Sequence, residues 1–270
     1  MFNQIISIHG VPRSGTSWLG QIFNSSEEVR YKFQPLFSYA FKDAVHVRSS
    51  NEEILKYYNE LYNTEDAFLD QTQQIEKGIY PSFENKESNP KKLVTKMVRY
   101  HYLIPTLLSS VDDFKLVAII RNPLAVLNSW RNAPKELPPH LSFEEEWRYA
   151  QNRNLFRPEE YFGFEKWKEA TKLYLWAKEK YPEKVYILKY ENLVSNTKDV
   201  TKDMFDFCDL IMGEQTNDFI SDSKSKMNDN PYSVYKGKNN TKEWEKQLPK
   251  SVIDEVYQEL TGTEFEQFLK

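Results

Sequence analysis

The sequence is poor in cysteine, in glycine and in long apolar runs. Cys208 is its one cysteine, and there are eight glycines among 270 residues. A single cysteine excludes an intramolecular disulfide and a cysteine-based metal site, so a reducing compartment is expected. No apolar run approaches the roughly 20 residues that a membrane-spanning helix needs, and the N-terminus leads directly into a strand-like segment. We therefore expect a cytoplasmic protein without an integral membrane segment or a metal ion.

An excess of positive charge is also missing. The formal net charge is −4 and the sequence pI is about 5.8, which argues against a dedicated nucleic-acid binder. The chain has the length of one large domain, and we find no repeat or interdomain linker. We expect a single domain over residues 1–270, while the oligomeric state is not indicated.

What the chain does have is a set of short apolar runs separated by helical segments. The runs cover residues 4–9, 93–97, 115–120 and 184–189. Such a pattern predicts an α/β fold with a central parallel sheet covered by helices, which binds ligands at the carboxyl ends of its strands. We interpret residues 27–91 as mostly helical, with Asn51 as an N-cap. The stretch 132–164 is rich in proline, charge and aromatics, and suits a cap over an acceptor pocket.

The sequence GVPRSGTSW, from Gly10 to Trp18, follows the first apolar run. A strand that turns through glycines into a helix presents unpaired backbone N–H groups and the positive end of the helix dipole. Arg13 adds a full positive charge, and Ser14, Thr16 and Ser17 add hydroxyl donors. The segment predicts a site for a phosphate-like group.

The kind of phosphate ligand depends on one position. Gly10 and Gly15 have the spacing of the nucleoside-triphosphate P-loop, and Ser17 stands where that loop places its Mg²⁺-binding hydroxyl. Thr16, however, occupies the position of the P-loop lysine, and this counts against an ATP-dependent kinase. The sequence PRSGTSW instead resembles the 5′-phosphosulfate loop of sulfotransferases that use 3′-phosphoadenosine 5′-phosphosulfate (PAPS).

A second segment, from Lys115 to Trp130, repeats the order of strand and helix. Arg121 follows the apolar strand, Pro123 suits a first helical turn, and Ser129 lies eight residues after the arginine. An arginine beside a helix hydroxyl can hold a second phosphate by charge-assisted hydrogen bonds. The pair is similar to the 3′-phosphate motif of the same family, and the two motifs stand in the family's order.

The resemblance implies a P-loop-like sulfotransferase domain that transfers a sulfuryl group from PAPS to a hydroxyl and releases PAP, without a metal. It implies that Arg13 contacts the bridging oxygen while Ser14, Gly15, Thr16 and Ser17 hold the 5′-phosphosulfate. It places Arg121 and Ser129 on the 3′-phosphate and Trp18 and Tyr190 against adenine. A loop with Lys236 and Gly237 would close on the 3′-phosphate, although Tyr235 stands where the family has arginine.

The general base is less clear from the sequence. One branch of the family uses a glutamate about twenty residues past the loop, where this chain has Gln34. Another branch uses a histidine, for which His101 is the nearest candidate; His9 and His140 are further possibilities. Lys96 could orient the acceptor instead. We assign Arg13 and His101 as catalytic and Gln34, Lys96 and His140 as acceptor-binding.

The acceptor is interpreted from the proposed cap. Trp130, Trp147, Arg148 and Tyr161 combine aromatic and polar groups that suit sugar rings, so a glycan or another small molecule is expected. Two alternatives stay open: a PAP- or glycan-binding protein that has lost catalysis, suggested by Gln34, and an atypical P-loop kinase.

Overall fold

A sheet of five parallel strands lies at the centre of the computed structural model, which describes residues 2–235, 237 and 242–270. The strands are β1 (Gln4–His9), β2 (Val29–Phe33), β3 (Lys92–Met97), β4 (Phe114–Ile120) and β5 (Val185–Lys189). Their order is β2-β3-β1-β4-β5, with His9 of β1 opposite Met97 of β3 and Ala118 of β4. Since β1 is central, the loop that follows it lies between the ends of β3 and β4. The predicted parallel sheet is confirmed.

Helices cover both faces of this sheet. They are α1 (Thr16–Asn24), α2 (Asn51–Asn63), α3 (Thr72–Glu76), α4 (Ile104–Ser110), α5 (Pro123–Arg131), α6 (Phe143–Glu146), α7 (Gln151–Asn154), α8 (Phe164–Lys180), α9 (Tyr190–Ser195), α10 (Thr197–Phe207), α11 (Glu214–Ser225), α12 (Trp244–Gln247) and α13 (Lys250–Leu260). Short 3₁₀ turns span Pro35–Phe37, His101–Leu103 and Glu266–Phe268. Within the described residues, no helix combines the length and apolarity required to cross a bilayer.

Two apolar cores, one on each face, follow from the alternation of side chains along the strands. Ile6 and Ile8 of β1 pack with α1, α10 and α11, whereas Ile5 packs on the opposite face with α2, α4, α5, α8 and α13. A strand that is buried on both faces must be apolar at successive positions. This explains why the runs at β1, β3 and β4 could be identified from the sequence.

The edge strand β2 was not predicted, because residues 27–91 were interpreted as mostly helical. Its sequence VRYKF contains two cations, which hide the apolar pattern. Lys32 is nevertheless buried, because its ammonium donates to the Thr64 carbonyl at 2.5 Å and pairs with Asp70 at 2.6 Å. The expected N-cap Asn51 is also wrong by one residue: Ser50 caps α2 in a capping box with Glu53.

Candidate active site

Close contacts require glycine at two positions of the loop between β1 and α1. A Cβ on Gly10 would lie 2.7 Å from Cγ2 of Ile119, and one on Gly15 would lie 2.5 Å from the Tyr190 ring. Gly15 also has φ +89°, a conformation that disfavours side chains. Because Gly15 precedes the first residue of α1, the amides of Thr16, Ser17 and Trp18 have no partner within the helix. The loop therefore directs a cluster of N–H donors outward.

Arg13 lies at the centre of this loop and has a strained backbone, with φ at 72°. Its Nε donates to Ser129 Oγ at 3.0 Å, and one terminal nitrogen donates to the Pro231 carbonyl at 3.1 Å. Its guanidinium carbon lies 5.5 Å from the centre of the Tyr232 ring. The first and second sequence motifs therefore meet through a direct side-chain contact.

Arg121 follows β4 and reaches the same loop. Its Nη1 donates to the carbonyl of Arg13 at 2.9 Å, and its guanidinium lies over the Tyr190 ring at 4.5 Å. Its Nε is buried and has no hydrogen-bond partner among the described residues. A buried donor of a charged group is costly without a partner, so Nε is poised for an external acceptor.

Phe268 and Leu269 contact the two side chains that position the backbone around Arg121. The Asn122 side chain caps α5 by accepting from the amide of Leu124 at 2.8 Å, and its Nδ2 donates to the carbonyl of Leu269 at 2.9 Å. The indole of Trp167 donates to the Arg121 carbonyl at 3.0 Å and packs against Phe268. The second motif is thus built from segments that are distant in sequence.

The aromatic rings of Trp18 and Tyr190 stand beside the loop. Their centroids are 6.5 Å apart in an edge-to-face arrangement, and the Trp18 indole donates to Ser223 Oγ at 3.0 Å. Trp18 is half-buried and Tyr190 is buried. The orientation of the indole is therefore fixed by α11. Its face provides a flat surface for a planar ligand group.

The loop hydroxyls differ in their surroundings. Ser14 Oγ is buried without a hydrogen-bond partner among the described residues, while Ser17 is half-buried and close to the Tyr80 hydroxyl. Burial raises the pKa of Tyr80, so this phenol stays protonated near neutral pH. Ser14 thus lies in the loop and Ser17 in the first turn of α1, and their role in anion binding stays a prediction.

A family model described as "Sulfotransferase family" matches residues 6–214, which include both motifs. The chain belongs to this sulfotransferase family. No curated protein matches the chain in sequence. The predicted family is confirmed.

Solved sulfotransferase structures share the fold of this sulfotransferase. The mouse sulfotransferase SULT7A1 complexed with PAP is 15% identical, with a TM-score of 0.53 over 95% of this chain and 84% of that one. A retinol dehydratase in a complex with retinol and PAP is 14% identical, with a TM-score of 0.53 over 98% and 83% of the two chains. At such identities the similarity establishes the fold.

The histidine pair lies deep in this sulfotransferase. His9 Nδ1 and His101 Nδ1 are 2.9 Å apart, and His9 Nε2 lies 2.9 Å from Ser7 Oγ. Burial lowers the pKa of His9 to about 3 and the pKa of His101 well below its usual value. His101 is 0% exposed and contacts the Tyr161 ring, so it has no opening to an acceptor in this arrangement. Its assignment as the base stays a prediction.

Lys96 and Gln34 lie at the carboxyl ends of β3 and β2. The Lys96 ammonium lies 4.5 Å over the Phe33 ring, and burial lowers the Lys96 pKa to about 7. Gln34 accepts a hydrogen bond from Arg99 at 2.8 Å, while Arg99 also pairs with Glu160 at 2.9 Å. Lys96 is thus a buried amine near the site, whereas the Gln34 amide is occupied by Arg99.

The cap residues differ from their expected role. Trp130, Trp147 and Tyr161 are buried, with Trp130 packed on Phe162. Arg148 pairs with Glu165, Glu255 and Glu259. The interpretation of these four residues as a sugar platform is therefore wrong: their rings and charge are used in packing the cap. His140 is exposed on this segment, away from the buried core.

The predicted C-terminal loop is described in part. Gly237 has φ 56°, and the carbonyl of Lys226 is among the nearest atoms to a Cβ placed there. Lys236, together with Lys238, lies outside the described residues. Sequence reasoning missed Glu136, Pro231 and Tyr232, all in turns, whose spacing carries no family signature. Among residues 2–235, 237 and 242–270, no group of three or more histidine, cysteine, aspartate or glutamate side chains could hold a metal.

Proposed function

We propose that this sulfotransferase transfers a sulfuryl group from PAPS to an acceptor hydroxyl and releases PAP. The observation that carries the proposal is the contact of the two motifs: Arg13 donates to Ser129, and Arg121 donates to the Arg13 carbonyl. Two guanidinium groups beside one helix N-terminus suit a ligand with two phosphate-like groups.

The residues present fit such a nucleotide. The unpartnered Nε of Arg121 and the unpartnered hydroxyl of Ser14 are buried donors that phosphate oxygens would satisfy. Trp18 and Tyr190 supply aromatic surface for adenine. The two relatives with TM-scores of 0.53 were solved with PAP, which supports the same ligand class here.

PAPS, when bound, supplies the activated sulfuryl group and a phosphate leaving group. Arg13 would neutralise the charge that develops on the leaving oxygen, and the amides of Gly15, Thr16 and Ser17 would fix the 5′-phosphate. Such transfer depends on positioning and on charge stabilisation along an in-line path, and Arg13 and the loop amides supply the fixed donors for both.

We propose a carbohydrate or another small hydroxyl metabolite as the acceptor, in a cytoplasmic single-domain enzyme. Lys96 would orient its hydroxyl, because a buried amine with a pKa of about 7 can donate or accept a hydrogen bond near neutral pH. Gln34 would contact it through its Nε2, because its Oε1 accepts from Arg99. The exposed His140 has the least support, since it lies on the outer surface of the cap.

The deciding experiment is thermal unfolding with PAP, with ADP, and with ATP plus Mg²⁺. Ligand binding to the folded state raises Tm by mass action. We expect a shift with PAP that Arg13→Ala and Arg121→Ala each reduce, while the matched control Arg131→Ala, an exposed arginine at the end of α5, keeps it. A shift with ATP and Mg²⁺ alone would favour the kinase alternative.

A binding protein without catalysis is the second candidate, favoured by Gln34 at the expected glutamate position. It predicts the same PAP-dependent Tm shift without formation of PAP from PAPS on any acceptor. Chromatographic assay of PAP with methyl β-D-glucopyranoside, 2-naphthol and water as acceptors separates the two candidates.

A further inference from the structure

Hydrogen bonds of the Glu136 backbone fix this residue beside Arg13. Glu136 lies in the turn after α5, where its carbonyl accepts from the Trp130 indole at 3.1 Å and from Arg153 Nε at 2.6 Å. Its amide donates to the carbonyl of Ala133 at 2.8 Å. Three hydrogen bonds therefore fix the position from which the side chain extends.

The carboxylate of Glu136 faces the phosphate loop. Its Oε2 lies 3.7 Å from Arg13 Nε, beyond hydrogen-bond distance, and is buried without a hydrogen-bond partner among the described residues. The side chain as a whole keeps 24% of its surface exposed. The Glu136 side chain is thus close to Arg13 and partly exposed, whereas His101 is fully buried.

The groups around Glu136 are mostly cations and phenols. It interacts electrostatically with Lys96 and with Arg153, and it contributes to the raised pKa of both Tyr80 and Tyr232. Unlike Glu160, which pairs directly with Arg99, Glu136 has no short ion pair in the described part of the chain. One of its oxygens is therefore available as a proton acceptor.

We propose that Glu136 is the general base that deprotonates the acceptor hydroxyl, in the role that Gln34 cannot fill. This inference rests on the proposed function. The hydroxyl proton passes to a carboxylate oxygen of Glu136, and the acceptor oxygen uses the released electron pair to form its bond to sulfur. The bond between sulfur and the 5′-phosphate oxygen breaks, its electron pair leaves with PAP, and Glu136 returns the proton to water.

The alternative role for Glu136 is that of a counter-ion to Arg13 which the nucleotide displaces. The two roles differ in what a neutral side chain does. If Glu136 is a counter-ion, Glu136→Gln should keep its turnover and bind PAP more tightly. If Glu136 is the base, the same variant should lose turnover while it still binds PAP. Measuring Kd and kcat on one variant therefore separates them.

The experiment compares Glu136→Gln, Glu136→Asp and Glu136→Ala with the control Glu144→Gln, an exposed glutamate on the adjacent α6. PAP binding is measured by calorimetry, and PAP formation from PAPS is measured with methyl β-D-glucopyranoside, 2-naphthol and water. General-base catalysis contributes roughly 10²- to 10⁴-fold, so kcat of Glu136→Gln should fall by about that factor. Glu136→Asp should retain part of the activity, and formate should restore activity to Glu136→Ala.

Unchanged kcat in Glu136→Gln would overturn the assignment, as would a loss that appears in the PAP Kd and not in kcat. Absence of PAP formation by the unaltered protein, with water included, would also overturn it. In that case a PAP-dependent Tm shift would still support the nucleotide site. Failure of PAP to bind the unaltered protein would instead refute the proposed function itself.

Discussion

Replacing Arg121 by alanine tests the nucleotide site most directly. Two groups of the Arg121 side chain are expected to act differently: Nη1 donates to the carbonyl of Arg13 at 2.9 Å, and the buried Nε has no hydrogen-bond partner among the described residues. The Nη1 contact organises the loop and should serve any 5′-phosphate ligand. The Nε donor is expected to serve a 3′-phosphate only. The substitution should therefore weaken two ligands to different extents.

The magnitudes follow from typical hydrogen-bond energies. Because the guanidinium is charged, loss of either of its hydrogen bonds costs about 1.5–3 kcal/mol. Since about 1.4 kcal/mol is a factor of ten, loosening of the loop in Arg121→Ala should weaken AMP by at most about 10- to 100-fold. The substitution should weaken PAP by a further factor of about 10 to 100, because AMP lacks the 3′-phosphate.

Calorimetric titration of both nucleotides into both proteins measures this difference. Arg131→Ala, at the last residue of α5, controls for a general loss of positive charge. Equal weakening of AMP and PAP would refute the reasoning, because Arg121 would then act through the loop alone. Unchanged affinity for both would remove Arg121 from the site.

Three further outcomes test the surroundings of the site. Gly15→Ala should cost about 1–3 kcal/mol in the free energy of unfolding measured with urea, because its Cβ would meet the Tyr190 ring and its φ is +89°; an unchanged midpoint would contradict the close contact. Burial lowers the His9 pKa to about 3, so between pH 6.5 and 3 the unfolded chain binds a proton at this residue that the native chain does not bind. The unfolding free energy should therefore decrease as the pH is lowered through this range, by up to about 1.4 kcal/mol per pH unit, and His9→Asn should make this dependence less steep. Burial likewise lowers the Lys96 pKa from 10.5 to about 7, so the unfolding free energy should rise as the pH increases within that window. Because Lys86 has a similarly lowered pKa, Lys96→Met should reduce this rise without abolishing it, and an identical slope in the variant would contradict the burial.

Strands β1, β3, β4 and β5 and the glycine positions of the first motif could be predicted because local sequence determines them. β1 is buried along its whole length and β4 at all but one position, since helices cover both faces of the sheet. The loop from Gly10 to Gly15 must accommodate Ile119 and Tyr190, which restricts it to glycine at two positions. Such constraints leave a readable pattern in one sequence.

What could not be predicted depends on contacts between distant segments. Strand β2 lies at the edge of the sheet and contains two cationic residues. One of them, Lys32, is buried with the help of its ion pair with Asp70, which lies in a later turn. Trp130 was interpreted as a surface for sugars, yet its indole donates to the carbonyl of Glu136 and its ring packs in the core. Glu136 and Tyr232 approach Arg13 from turns 123 and 219 residues further along the chain. No local periodicity encodes such distances.

The hydrogen bond between Asn122 and the carbonyl of Leu269 has a consequence for biosynthesis. During vectorial translation, residues 10–130 emerge long before residues 265–269, so the cap of α5 lacks one of its partners until the last of these segments leaves the ribosome. Nucleotide that meets the nascent chain before then should find Asn122 and Trp167 without these partners. We therefore expect ligand-assisted maturation through the second motif only once residues 265–269 have left the ribosome.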